Sequence, residues 1–221
     1  MKIDKFWKDL KRISNGDYIL EGDLISEETI EIDLDDRFVI KGKIESKKNI
    51  IVRLGINAGC GINAGWGIKA GCGINAGEGI NAGCGINAGC GINAGWGINA
   101  GWGINAGWGI NAGCGINAGW GIKAGWGIKA GEGIKAGWGI KAGEGIKAGE
   151  GIKAGCGINA GDGIKTKTFI DCKKRIFAGL SVYHTSKNCI KSIECAELKN
   201  GEICFGNLVI VKPKTEKSDN Q

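Results

Sequence analysis

Gly61-Ile62-Asn63-Ala64-Gly65-Trp66 runs directly into Gly67-Ile68-Lys69-Ala70-Gly71-Cys72, and the same six-residue phrase fills residues 55–165. It reads Gly-Ile-(Asn or Lys)-Ala-Gly-X, where X is Trp, Cys, Glu or Asp. Isoleucine recurs at strict spacing from Ile56 to Ile164. Two glycines in six beside a β-branched residue make poor helix, and collagen needs glycine at every third position. Short glycine-punctuated strands remain. An array of this kind buries its core by stacking copies, so the fold class is all-β, a parallel β-solenoid. Ile and Ala, the constant apolar pair, should face inward. The X slot exchanges Trp for Cys for Glu, a change of volume and charge that close-packed interiors do not accept cheaply. X and the Asn/Lys slot therefore point outward.

The number of hexads per turn stays open. X residues match no better at a lag of 18 than at a lag of 12, and 18 is preferred because a triangular interior accommodates Ile better. With 18 residues per turn Trp102, Trp120 and Trp138 form one column; with 12, Trp96, Trp108 and Trp120 do. Either spacing sets an aromatic stripe on the middle of the rod, more exposed aromatic surface than a monomer normally shows. Self-stacking that merely stiffens the coil is the competing reading.

The chain of 221 residues carries a net charge of +6. Much of the excess in the array comes from Lys123, Lys129, Lys135, Lys141, Lys147 and Lys153, which interleave with Trp126 and Trp138. Basic tracks with aromatic platforms suit single-stranded nucleic acid. Glu132, Glu144 and Glu150 fall in the same hexads and are expected to neutralise those lysines. The candidate binding set is Trp96, Trp102, Trp108, Trp120, Trp126 and Trp138 with the six lysines.

Outside the array, residues 1–17 are expected to form a capping helix with Phe6, Trp7, Leu10 and Ile13 on one side. A plug over the open coil is its first role; docking to a partner or membrane surface is the rival. Residues 18–54 read as irregular rungs with acid-rich loops, where Asp33, Asp35 and Asp36 lack the glycine and terminal glutamate of an EF-hand. Residues 166–212 read as a small β cap with a hairpin turn at Asn200-Gly201 and a surface for homodimerisation; residues 213–221 read as a disordered tail. Six cysteines fill X slots interchangeably with Trp or Glu, so they are expected to be reduced, and Cys72 and Cys90 would stack on an 18-residue turn. Cys172, Cys189, Cys195 and Cys204 contain no C-x-x-C pair, which favours buried thiols over zinc. With no apolar run long enough to span a bilayer and no signal-peptide core, the cytoplasm is the expected compartment.

The six-residue period is similar to that of the hexapeptide-repeat acyltransferases, which generally use a histidine near the coil and a loop covering the acyl donor. Here the single histidine, His184, lies outside the array, no loop interrupts residues 55–165, and Gly stands before Ile and after Ala. The expectation is a non-enzymatic protein with no cofactor and no metal. Gly-Ile-Asn-Ala-Gly-Trp also resembles the near-perfect repeats of uncharacterised β-solenoid proteins from AT-rich bacteria and their phages, over residues 55–211. In size, absence of a catalytic set and excess of exposed aromatics the chain resembles anti-CRISPR-type inhibitors. That resemblance implies a protein partner such as a CRISPR effector nuclease, in particular a type VI RNA-guided RNA nuclease, met in a host cytoplasm; it carries over no residue roles.

Overall fold

The computed structural model describes residues 1–14, 16–179 and 192–211. Each hexad of the array contributes one three-residue strand, Ile-(Asn/Lys)-Ala except for the last, Ile164–Thr166, and the intervening Gly-X-Gly turns a corner. Each strand pairs in parallel with those 18 residues away: Ile104–Ala106 sits between Ile86–Ala88 and Ile122–Ala124, in register residue for residue. Three hexads thus complete one coil. The chain is a triangular, hexapeptide-repeat parallel β-solenoid, and the turn length that the X residues left open is 18.

The interior follows the expected division. Every array isoleucine is buried to 1% exposure or less, with the alanines behind them. Coils are joined along the strands and at the corners alike: Ile104 N–H donates to the Gly121 carbonyl at 3.0 Å, Gly119 N–H to Ala100 at 3.1 Å, and Trp120 N–H to Trp102 at 2.9 Å. The backbone of one corner therefore rests directly on the next. That contact explains the first corner glycine, since a Cβ on Gly119 would lie 1.9 Å from the Gly101 carbonyl oxygen. A Cβ on the second, Gly121, would stand 3.3 Å from the nearest oxygen.

The three faces take their names here from the middle residue of an early strand. The Asn63 face continues through residues 81, 99, 117, 135 and 153; the Lys69 face through 87, 105, 123, 141 and 159; the Asn57 face through 75, 93, 111, 129, 147 and 165. Asparagines stacked on a face form amide ladders, such as Asn93 Nδ2 to Asn75 Oδ1 at 2.8 Å and Asn117 to Asn99 at 3.0 Å.

The first coil is larger. Tyr18 pairs with Phe38 and Ile30 with Ile50, a step of 20, because the corner of residues 33–37 carries two extra residues. Its carboxylates are engaged: Asp33 meets Lys2 and Arg53, Asp36 meets Arg12 at 2.8 Å, and Asp35 accepts from the Tyr18 hydroxyl at 2.7 Å. No group of carboxylates, cysteines and histidines suited to a metal occurs among the described residues.

The expected N-terminal helix is absent. Lys2–Ile3 adds a parallel strand to Ile30–Ile32, turns follow, and Lys11–Arg12 pairs antiparallel with Tyr18–Leu20. Trp7 and Leu10 pack on the core as a plug would, while Phe6 is exposed. The physical reason lies in the edge beneath. Strands of the first coil present unpaired N–H and C=O groups, which an extended segment satisfies and a helix would leave open.

At the other end the solenoid path continues. Phe169–Ala178 bends around a corner to pair with both Ile152–Ala154 and Ile158–Ala160, and Glu197–Phe205 lies parallel upon it. Ser192–Cys195 and Asn207–Ile210 extend the Asn57 face. Asn200-Gly201 is no hairpin turn: it lies inside Glu197–Phe205, where Gly201, at φ +118°, lets one residue cross the corner that residues 172–174 take in three. The tail expected over residues 213–221 lies outside the described residues. Among the described residues no helix is long and apolar enough to cross a membrane.

Candidate binding surface

The corners collect the X residues into three columns, each built by the 18-residue step. One holds Trp66, Cys84, Trp102, Trp120, Trp138 and Cys156, between the Asn63 and Lys69 faces. The second holds Cys72, Cys90, Trp108, Trp126, Glu144 and Asp162, between the Lys69 and Asn57 faces. The third holds Cys60, Glu78, Trp96, Cys114, Glu132 and Glu150. Indoles in adjoining coils stack: Trp102 on Trp120 at 6.0 Å, Trp120 on Trp138 at 5.9 Å, and Trp108 on Trp126 at 5.5 Å between centroids. Stacking does not bury them. All seven array tryptophans stay between 54% and 62% exposed, so self-association of the rings leaves most of this apolar surface in water.

The predicted set is thereby divided. Trp102, Trp120 and Trp138 flank one edge of the Lys69 face and Trp108 and Trp126 the other, with Lys123 and Lys141 down the middle. Lys129 and Lys147 lie on the Asn57 face, Lys135 and Lys153 on the Asn63 face, and Trp96 stands at the corner opposite the Lys69 face. The expected neutralisation by acids does not occur. No ion pair joins Glu132, Glu144 or Glu150 to these lysines among the described residues; the array lysines that do pair are Lys153 with Asp171 and Lys165 with Glu194. Glu132 and Glu150 share the third corner, across the rod from Lys123 and Lys141.

Along the Lys69 face runs a groove of about 1270 Å³, walled by Trp102 and Trp120, floored by Lys123 and Lys141, and closed by Lys173, Lys174, Arg175 and Phe177. Glu202 is the one carboxylate among its described lining residues. A smaller groove of about 550 Å³ on the Asn57 face mixes Lys129, Lys147 and Lys165 with Glu144, Asp162 and Glu194. The basic closure of the first was overlooked in the sequence, although the 18-residue step carries Cys156 to Lys174. The same step takes the column of Lys123 and Lys141 on to Asn159 and then Phe177.

The cysteines are free thiols among the described residues. Burial pushes the Cys172 and Cys195 thiols up, so both are poor nucleophiles. Cys204 is exposed, and Cys189 and His184 lie outside the described residues. Cys90 is also pushed up, by desolvation first and by its stacked neighbour Cys72 second.

No protein-family model matches the chain, and no curated protein or solved structure is detectably similar to it. The functional reading therefore rests on the surface alone.

Proposed function

We propose that the protein is a non-enzymatic binding rod whose aromatic corners dock a protein partner, and that its most concrete form is an inhibitor of a bacterial defence nuclease of the RNA-guided type, encoded by a phage or mobile element. The observation that supports the binding role is the persistence of exposure after stacking. Five indoles already touch one another, yet each keeps more than half its surface in water. Aromatic side chains displayed this way on a rigid scaffold are the residues that dominate interface energetics. Inhibitor identity draws on the chain's likeness to anti-CRISPR-type inhibitors in size and in its excess of exposed aromatic residues, and it enters as the specific version to test.

Trp102, Trp120 and Trp138 changed together to Ser should abolish capture of a partner from bacterial lysate while the circular-dichroism spectrum stays β-rich. Undiminished capture by that variant refutes the aromatic corner as the docking surface. Addition of the purified protein to a reconstituted RNA-guided RNA nuclease should slow cleavage in the specific version.

A further inference from the structure

The groove on the Lys69 face differs from the rest of the rod in a way that protein docking at the corners does not require. Its floor and far end bring Lys123, Lys141, Lys173, Lys174 and Arg175 together with one carboxylate, Glu202, and none of the five cations forms an ion pair among the described residues. Lys123 and Lys141 are register partners in adjoining coils, so their backbones stand about 4.8 Å apart. Like charges held at that spacing repel unless a counter-charge sits on them.

The aromatic wall supplies the second element. Trp138 is stacked by Trp120 on one face, but the next coil places Cys156 at its other face, and the coil after that Lys174. A thiol occupies far less space than an indole. Cys156, which lines the groove, therefore interrupts the indole column, with Trp138 at the same corner one coil before it and Lys174 one coil after it. A flat aromatic group tethered to a row of anions suits both the indole and the cations.

We propose that this groove binds single-stranded nucleic acid, the phosphates lying along Lys123, Lys141, Lys174 and Arg175 and one base stacking on Trp138 where Cys156 interrupts the column. The backbone charge supplies affinity and the indole a sequence-tolerant platform, the combination by which unpaired strands are held. An acidic peptide would satisfy the floor but leave the indole unused.

The test uses the purified full chain with fluorescein-labelled oligo(U) and oligo(dT), read by anisotropy, with poly-glutamate as competitor. Oligonucleotide should bind, and four phosphate contacts should weaken affinity roughly 50-fold between 50 and 200 mM salt. Lys123→Asn with Lys141→Asn rebuilds the asparagine ladder of earlier coils and should cut the salt slope from about 3 to about 1.5. Cys156→Trp continues the column with a residue that seven X slots of the array already hold; it should lower affinity roughly five- to a hundredfold with the fold intact. The proposal is overturned by absence of binding at low salt, by an unchanged slope in the double variant, by indifference to Cys156→Trp, or by displacement with poly-glutamate at equal charge concentration. None of these outcomes depends on capture of a protein partner, so each reading can fail alone.

Discussion

The coils before and after residue 120 share one scaffold and carry opposite surfaces. In the earlier stretch the outward strand position is mostly asparagine, and side-chain amides bond from coil to coil at 2.7–3.1 Å. In the later stretch Lys replaces Asn at six consecutive strands, Lys123 to Lys153, and the ladders stop. A hydrogen bond between stacked amides contributes about 0.5–1.5 kcal/mol at best and less in water, while two like charges one coil apart repel by about 1 kcal/mol in water. Something is recovered: alanines beside Lys are 1–4% exposed against 6–9% beside Asn in the array before residue 120, because the lysine stems lie over them. The ammonium heads gain no described partner in return, apart from Lys153. A surface that gives up bonding and accepts repulsion is shaped by what it meets rather than by what it supports.

If the two stretches differ only in decoration, damage to the shared backbone must cost the same in both. Gly101→Ala and Gly137→Ala each place a Cβ 1.9 Å from a carbonyl oxygen of the preceding corner. No side chain can yield there, so the coils must part. Each change should destabilise by at least about 3 kcal/mol, measured by chemical denaturation. Gly103→Ala and Gly139→Ala, with 3.3 Å to the nearest oxygen and no positive φ, should fall within about 1 kcal/mol of zero, since the tight contact is offset by lost freedom of the unfolded chain. Unequal costs for Gly101 and Gly137 would break the comparison.

The reverse experiment sharpens it. Converting Lys129, Lys135 and Lys147 to Asn should raise stability, by a few tenths of a kcal/mol per position, through restored ladders and relieved repulsion. Because exposed charges are screened, added salt should stabilise the native chain more than this variant, and thermal melts at low and high ionic strength would show it. A loss of stability would mean that the lysine stems matter more than the amide ladders.

How legible this was follows from the same division. Periodicity exposes the array because Ile and Ala are held constant wherever volume is fixed, and the outward slots vary because nothing packs on them. Turn length was not legible, since the X residues that could mark it are the free ones; the register of Ile104 with Ile86 and Ile122 decides it. Phe6, Trp7, Leu10 and Ile13 fit a helical stripe, but the open edges of Tyr18–Leu20 and Ile30–Ile32 take strands instead, a tertiary demand that local spacing does not contain. Lys and Glu in neighbouring hexads looked paired because sequence distance does not give side-chain direction: Glu132 and Lys123 lie on opposite sides of the rod, and Glu144, at the corner between Lys141 and Lys147, forms an ion pair with neither among the described residues.

The ends offer a smaller contrast with the array, read through pH. Asp35 is held below the usual carboxylate range chiefly by the Tyr18 hydroxyl, Glu28 by Lys48, Glu45 by Lys43, Asp171 by Asn200 and then Lys153, and Glu194 by Lys165. All five belong to the irregular first coils or the C-terminal strands. A carboxylate whose folded pKa is depressed binds fewer protons in the native state than in the unfolded one. Its contribution is present above the ordinary carboxylate range and disappears as pH falls through the lowered value. Acidification from about pH 5 to about pH 2 should therefore loosen the two ends while the array, held by backbone ladders and buried isoleucine that do not titrate, persists. The groups are exposed, so the shift in melting temperature should be small. Amide exchange resolves it better: protection of Tyr18–Leu20 and Glu197–Phe205 should fall at low pH before that of Ile104–Ala106, and simultaneous loss would show that the coils open as one unit.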